Sequence, residues 1–260
     1  VIIIYVLFDH FDGLQANITG TGSPLGEFLD HYSDVFNGSI IIYLFFRILQ
    51  IELDWIFYLA IWSNLVAFTV TYLEQSIKKE LYFGKIGSLE GIVIILLIIL
   101  SFLTSQGKRF WLEYTIMDMP VYAFLLLGLI LGVIYTVAGS IKRLQHIPKS
   151  FIHYLLIGSI LLFLCIYCQI SWYVAFLAIN VYSSDLILKS MKSHLLDTEI
   201  PKPDLFIYVL FLFLIFQSFF KYEQQICIMV YGLFVAARIL WEMIQIFSKL
   251  SNYWKWWNLN

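Results

Sequence analysis

Apolar residues in this chain come in long unbroken runs, and the polar positions gather between the runs rather than alternating within them. A helix needs roughly 20 apolar residues to cross a bilayer. That window picks out a partial span at about 1–9 and further spans near 27–49, 53–76, 89–104, 119–140, 150–170, 173–190, 204–220 and 225–249. Lipid cannot satisfy free backbone groups, and the runs are too long for barrel strands, so helices are predicted throughout. Short polar stretches supply the turns, among them "SQGK" at 105, "IPKS" at 147 and "IPKP" at 200. The pattern predicts an all-α integral membrane protein, a polytopic helical bundle forming a single domain over 1–260. The chain opens inside an apolar run at Val1, which predicts an earlier segment before it.

Composition agrees: 61% of residues are hydrophobic and 13% charged, far from a soluble globular balance. A formal net charge of -2 gives no basic field, so nucleic acid is excluded as an expected partner. The distribution of charge says more than its sum. Alternating spans place Lys78, Lys79, Lys85, Lys142, Arg143, Lys149, Lys189, Lys192, Lys202, Lys249 and Lys255 on the side that holds residues 9–34, called here the motif side. Arg47, Lys108, Arg109 and Lys221 fall opposite. Basic residues near helix ends stay on the cytoplasmic side, so the motif side is expected to face the cytosol or an organelle matrix. Asn17-Ile18-Thr19 matches a glycosylation acceptor but lies on that side, so no glycan is expected. Cys165 and Cys168 form a C-x-x-C pair without a second Cys or His pair beside it, and together with Cys227 they read as small buried hydrophobes. The aromatic and basic "NYWKWWNL" at 252–259 suits an interfacial anchor.

The unusual stretch is "DHFDGLQANITGTGSPLGEFLDHYSD", which sets Asp9, Asp12, Asp30 and Asp34 between two apolar runs. Asp30 and Asp34 are four apart at the start of a helix and share a face, and Asp9 and Asp12 are three apart at the end of the preceding one. Any one of them reads equally well as a helix-end residue facing water. Four carboxylates converging would repel unless cations sat between them, and all-oxygen ligands suit Mg²⁺ or Mn²⁺. Gly13 and Gly26 carry no side chain and let a phosphate approach the backbone closely.

The spacing D-x-x-D-G-x-x-A followed by G-x-x-x-D-x-x-x-D is filled by Asp9, Asp12, Gly13, Ala16, Gly26, Asp30 and Asp34, and it resembles the signature of the CDP-alcohol phosphotransferases. More narrowly, "SPLGEFLDH" at 23–31 is similar to the corresponding stretch of the eukaryotic choline and ethanolamine phosphotransferases. Weaker similarity runs through "ELYFGKIGSLEG" at 80–91 and "KSHLLDT" at 192–198. The resemblance implies a ten-helix fold of which about nine helices are present here, the first of the ten lying before Val1. It implies transfer of phosphocholine or phosphoethanolamine from CDP-choline or CDP-ethanolamine to diacylglycerol, with release of CMP, in an endomembrane or the mitochondrial inner membrane. Two divalent metals would be held by Asp9, Asp12, Asp30 and Asp34, with His31 or Asp34 as the base and Gly13, Ala16, Asn17 and Gly26 around the nucleotide.

The chain departs from the pattern at three basic positions, where Leu14, Asn17 and Ile18 stand instead. Losing one charge-assisted contact costs about 1.5–3 kcal/mol, or about ten- to a hundredfold in affinity. Tyr32 replaces a glycine after His31 and is expected to crowd the cations. Two readings follow. In the first the chain is an active transferase whose substrate charge is met by Lys78, Lys79, Lys192 or the metals alone. In the second it is a catalytically impaired homologue, a structural or lipid-binding subunit of a larger membrane complex, with Leu14, Ile18 and Tyr32 closing the pocket. A homodimer and assembly with other membrane-complex subunits both stay open. Asp185, Arg238 and Glu242 are expected to pair with one another across the bundle, which leaves no ion pathway.

Overall fold

The computed structural model of the protein describes residues 11, 14–16, 18–82, 88–202 and 224–257. The expected spans at 1–9 and 204–220, together with Lys85 and Lys221, lie outside the described residues, as do the side chains of the 252–259 anchor. Eight helices are seen among the described residues: α1 (Pro24–Ile48), α2 (Trp55–Lys78), α3 (Ser88–Ser101), α4 (Ser105–Leu112), α5 (Val121–Leu144), α6 (Lys149–Tyr167), α7 (Trp172–Leu195) and α8 (Gln224–Trp257). A two-residue hairpin, β1 (Thr115–Ile116) and β2 (Met119–Pro120), precedes α5, with Ile116 paired to Met119. The chain is an integral membrane protein with an all-α polytopic fold, and α2, α5, α6, α7 and residues 226–250 of α8 are each long and apolar enough to cross a bilayer.

Local chemistry sets the ends. Ser23 caps α1 by accepting from the Gly26 amide at 3.0 Å, and Pro24 fits the first helical position because its missing N–H would be unsatisfied there. Asp54 caps α2, which ends at Lys79 in the left-handed region at φ 63°. The stretch at 89–104 differs from expectation. The apolar helix stops at Ser101 and turns through 116° into α4, so "SQGK" is the first turn of a helix rather than a loop. Thr104 caps α4 by accepting from the Gly107 amide at 3.0 Å. A Cβ on Gly107 would lie 2.0 Å from the Ser101 carbonyl oxygen, so only glycine lets α4 fold back this closely. The Trp111 indole then donates to Ser101 Oγ at 2.7 Å and pins the corner.

α2 and α7 form the centre of the bundle and are its most buried spans, whereas α5 turns most of its surface outward, as lipid-facing helices do. Side-chain pairs give the directions. Glu27 meets Gln75 and Tyr43 meets Phe57, so α1 and α2 run antiparallel along their whole lengths. Tyr58 donates to the Ile170 carbonyl at 2.9 Å while Lys79 reaches the Ser193 carbonyl at 3.0 Å, so α2 and α7 run parallel. Asp185 faces Arg238 and Lys192 bonds Glu242, so α7 and α8 also run parallel. The described motif-side basic residues therefore gather at one end of the bundle, and Arg47, Lys108 and Arg109 lie toward the other. α1 is not among the apolar spans, because Glu27, Asp30, His31, Asp34 and Asn37 occupy its first half.

The charges of the later helices pair in part as expected, with two lysines added. Asp185 faces Arg238 across the bundle at 3.8 Å, Lys189 also holds Asp185 at 2.6 Å from its own helix, and Lys192 bonds Glu242. The cysteines follow expectation only in part: Cys165 is fully buried, whereas Cys168 and Cys227 are half-buried, and all three are free thiols. At the α2–α6 contact the Trp62 ring lies 4.9 Å from Tyr154, and a Cβ on Gly158 would stand 1.9 Å from its Cη2. Gly158→Ala is therefore expected to destabilise the bundle by about 1–3 kcal/mol, read as a lower midpoint of thermal unfolding in detergent.

Candidate functional site

The first turns of α1 carry the site. A helix rotates about 100° per residue, so Asp30 and Asp34 fall on one face, with Glu27 and His31 beside them. Both aspartates are partly exposed at the motif end. The same rotation turns Tyr32 to the other side of the helix. It is buried, stacked on Phe28 at 5.4 Å and edge-on to Phe36, so it does not crowd the carboxylates as its sequence position suggested.

His31 stands between the carboxylates and α2. Its Nε2 is 3.9 Å from Asp30 Oδ2, its ring centroid is 6.0 Å from that of Tyr72, and its Nδ1 is buried without a hydrogen-bond partner. The Tyr72 hydroxyl donates to the His31 carbonyl oxygen at 3.2 Å and fixes this turn of α1 against α2. One turn nearer the helix start, Glu27 Oε1 accepts from Gln75 Nε2 at 3.5 Å and lies 3.7 Å from His194 Nε2 of α7. Tyr72, Gln75 and His194 carried no weight in the sequence reading. The signal available for the first two was a polar pair three apart on a helix that is otherwise apolar.

Two of the lysines expected to meet substrate charge are engaged elsewhere. Lys79 binds Asp197 Oδ1 at 2.7 Å as well as the Ser193 carbonyl, and this lysine holds the Asp197 carboxyl below its usual range. Lys192 is bonded to Glu242 and to Gln245 Oε1 at 3.0 Å. Lys78 is exposed at the end of α2. Leu14 and Ile18 are exposed on a short helical stretch, at 52% and 75%, so neither fills a pocket. Ala16 is half-buried there and its carbonyl accepts from the Thr21 amide at 3.1 Å. Gly26 is exposed in the first turn of α1, and its amide donates to the Ser23 cap.

Asp9, Asp12, Gly13 and Asn17 lie outside the described residues. Among the described residues no three His, Cys, Asp or Glu side chains gather as a metal site. The two aspartates that are described do suit a hard divalent ion in donor chemistry, being carboxylate oxygens on one face of one helix.

Comparison with known proteins decides what this arrangement belongs to. The profile of the CDP-alcohol phosphatidyltransferase family matches residues 1–138, just over half of the chain, and takes in the aspartate stretch. The chain belongs to the CDP-alcohol phosphatidyltransferase family. A family protein of Schizosaccharomyces pombe, itself uncharacterized, is 30% identical over 160 residues, with 55% of this chain and 41% of that protein covered. Cholinephosphotransferase 1 of Bos taurus is 28% identical over 149 residues, covering 55% of this chain and 36% of the relative, and the Rattus norvegicus protein of the same name is 27% identical over the same length. The match thus spans about two fifths of the length of these CDP-alcohol phosphatidyltransferase relatives.

Proposed function

We propose that the protein transfers phosphocholine or phosphoethanolamine from the CDP-alcohol to the free hydroxyl of diacylglycerol and releases CMP. The observation that carries this reading is the shared face of Asp30 and Asp34 with the buried, unpartnered Nδ1 of His31 beside it, at the bundle end where the basic residues gather. Family membership and the likeness to cholinephosphotransferases support transfer of a phospholipid head group.

Asp30 and Asp34, with Asp9 and Asp12, would hold the divalent metals, which when bound neutralise charge on a diphosphate and its leaving oxygen. The chain's own groups do the rest. His31 accepts the proton of the lipid hydroxyl at the nitrogen that has no other partner. The hydroxyl oxygen bonds to the phosphorus of the phosphoalcohol, the bond to the bridging oxygen breaks, and CMP leaves with the electron pair. Tyr72 keeps the turn bearing His31 in register by binding its carbonyl oxygen. The diacylglycerol reaches the site sideways from the bilayer, since α1 carries its polar face only in its first half. The motif side faces the cytosol or an organelle matrix, where CDP-alcohols and Mg²⁺ are supplied.

The impaired-homologue reading loses its proposed means of occlusion, because Leu14 and Ile18 point outward and Tyr32 packs into the core. What remains of it is the missing positive charge at Asn17. The test is CMP release by the full chain in nanodiscs with Mg²⁺, diacylglycerol and either CDP-alcohol; slow turnover is expected, and none with either substrate overturns the proposal. Asn17→Arg is expected to lower KM for the CDP-alcohol by about tenfold with kcat little changed, because a diphosphate contact is regained while His31 and the four aspartates are untouched.

A further inference from the structure

Below His31 the seam between α1 and α2 continues toward the middle of the bundle. Tyr72, Phe68 and Asn64 are spaced four apart on one face of α2, and His31, Asp34 and Gly38 descend the facing side of α1. Tyr72 meets His31; two turns further along α1, Gly38 meets Asn64. A Cβ on Gly38 would stand 2.9 Å from Asn64 Nδ2 and 3.2 Å from Phe68 Cε2, so the glycine makes room for the amide. Asn64 Nδ2 is buried and has no hydrogen-bond partner. Within an apolar span such an amide is costly unless something accepts from it, because neither water nor lipid chains can do so.

We infer that Asn64 is a binding residue for the acceptor lipid, its Nδ2 donating to an ester carbonyl of a diacylglycerol whose free hydroxyl lies at His31 and Asp34. This rests on the transferase reading above. The geometry suits one class of ligand. Gly38 follows Asp34 by one turn, about 6 Å along the helix axis, and the ester carbonyls of a glycerolipid sit a few bonds from its free hydroxyl. An ester carbonyl is also the one strong acceptor that such a lipid carries into the apolar region, and an amide N–H₂ is a donor with no charge to desolvate. A lipid joined to its chains by ethers presents no carbonyl there and leaves the amide unsatisfied.

The experiment compares diester and dialkyl-ether glycerols as competitors for radiolabelled diacylglycerol on the full chain in nanodiscs. The native protein is expected to bind the ester about tenfold more tightly, the worth of one hydrogen bond whose loss strands a buried donor. In Asn64→Leu, close in volume, the ester affinity should fall to that of the ether. In Gly38→Ala, where the amide is kept but displaced, the preference should shrink. Equal competition in the native protein, or an ester preference unchanged in both variants, overturns the inference. The native preference and the Gly38→Ala result decide it without Asn64→Leu if that variant does not fold. CMP release in the same discs keeps the two proposals apart: an ester preference lost in the variants without any turnover refutes the transferase and leaves the lipid site standing, whereas turnover with no preference does the reverse.

Discussion

If the proposed transferase reading holds, Asp30→Asn is expected to reduce CMP release by about a thousandfold, because removing one carboxylate from the proposed divalent-cation clamp forfeits about 4 kcal/mol of charge stabilisation in the transition state. The substitution keeps the shape of the side chain and removes only its charge. Asp30 is 39% exposed and sits outside the packed core, so the thermal midpoint should hold or rise slightly as repulsion from Asp34 is relieved. Asp34→Asn should behave in the same way, since the two side chains share a face. The measurement is turnover against Mg²⁺ concentration, with the folded fraction monitored in parallel. A loss smaller than tenfold in both variants would show that these carboxylates do not face the substrate phosphates, and the proposed chemistry would fall with it.

Arg143→Met is expected to produce the largest loss of stability. Glu74 lies on the central helix α2 with its side chain 1% exposed, and Arg143 at the end of α5 meets it with Nε at 2.5 Å and Nη2 at 2.8 Å, the fork also reaching Ser140 Oγ at 3.2 Å. The same guanidinium lies 5.3 Å from the centroid of the Tyr82 ring. Truncating the arginine leaves the carboxylate buried and uncompensated, which costs about 3–5 kcal/mol. Thermal unfolding followed by labelling of the buried thiol of Cys165 should therefore begin at lower temperature. Glu74→Gln combined with Arg143→Met should recover most of the loss, because the penalty arises from the stranded charge rather than from the missing attraction. If the single variant unfolds within 1 kcal/mol of the native protein, water reaches Glu74 and the pair is not a structural tie.

Membrane character and the helix positions were legible because lipid leaves the backbone few choices: once a run is apolar and long enough, it must be a helix. The expected spans at 53–76 and 173–190 thus correspond to Trp55–Lys78 and Trp172–Leu195 within a few residues. The bend after Ser101 was not legible, since it depends on Gly107 meeting the Ser101 carbonyl, and an apolar window sees composition but not close approach. The shared face of Asp30 and Asp34 was also readable, because helical period fixes it without any tertiary contact. By the same period Tyr32 had to face away from them.

The sequence by itself determined that the chain lies in a membrane, that its helices alternate in direction, that basic residues crowd one end, and that two carboxylates of the family signature share a face on α1. Each of these depends on spacing along one strand of chain. Only the tertiary structure decided which of the candidate lysines are held by carboxylates. Lys79 and Lys192 were equivalent candidates in the sequence, yet the packing of α2 against α7 and of α7 against α8 gives them Asp197 and Glu242 as partners. It also decided that Glu74 answers Arg143 and that Asn64 faces Gly38 without a partner. Pairings between residues far apart in the chain follow from which helix faces meet, and burial makes each pairing count by removing the water that would otherwise screen or satisfy it.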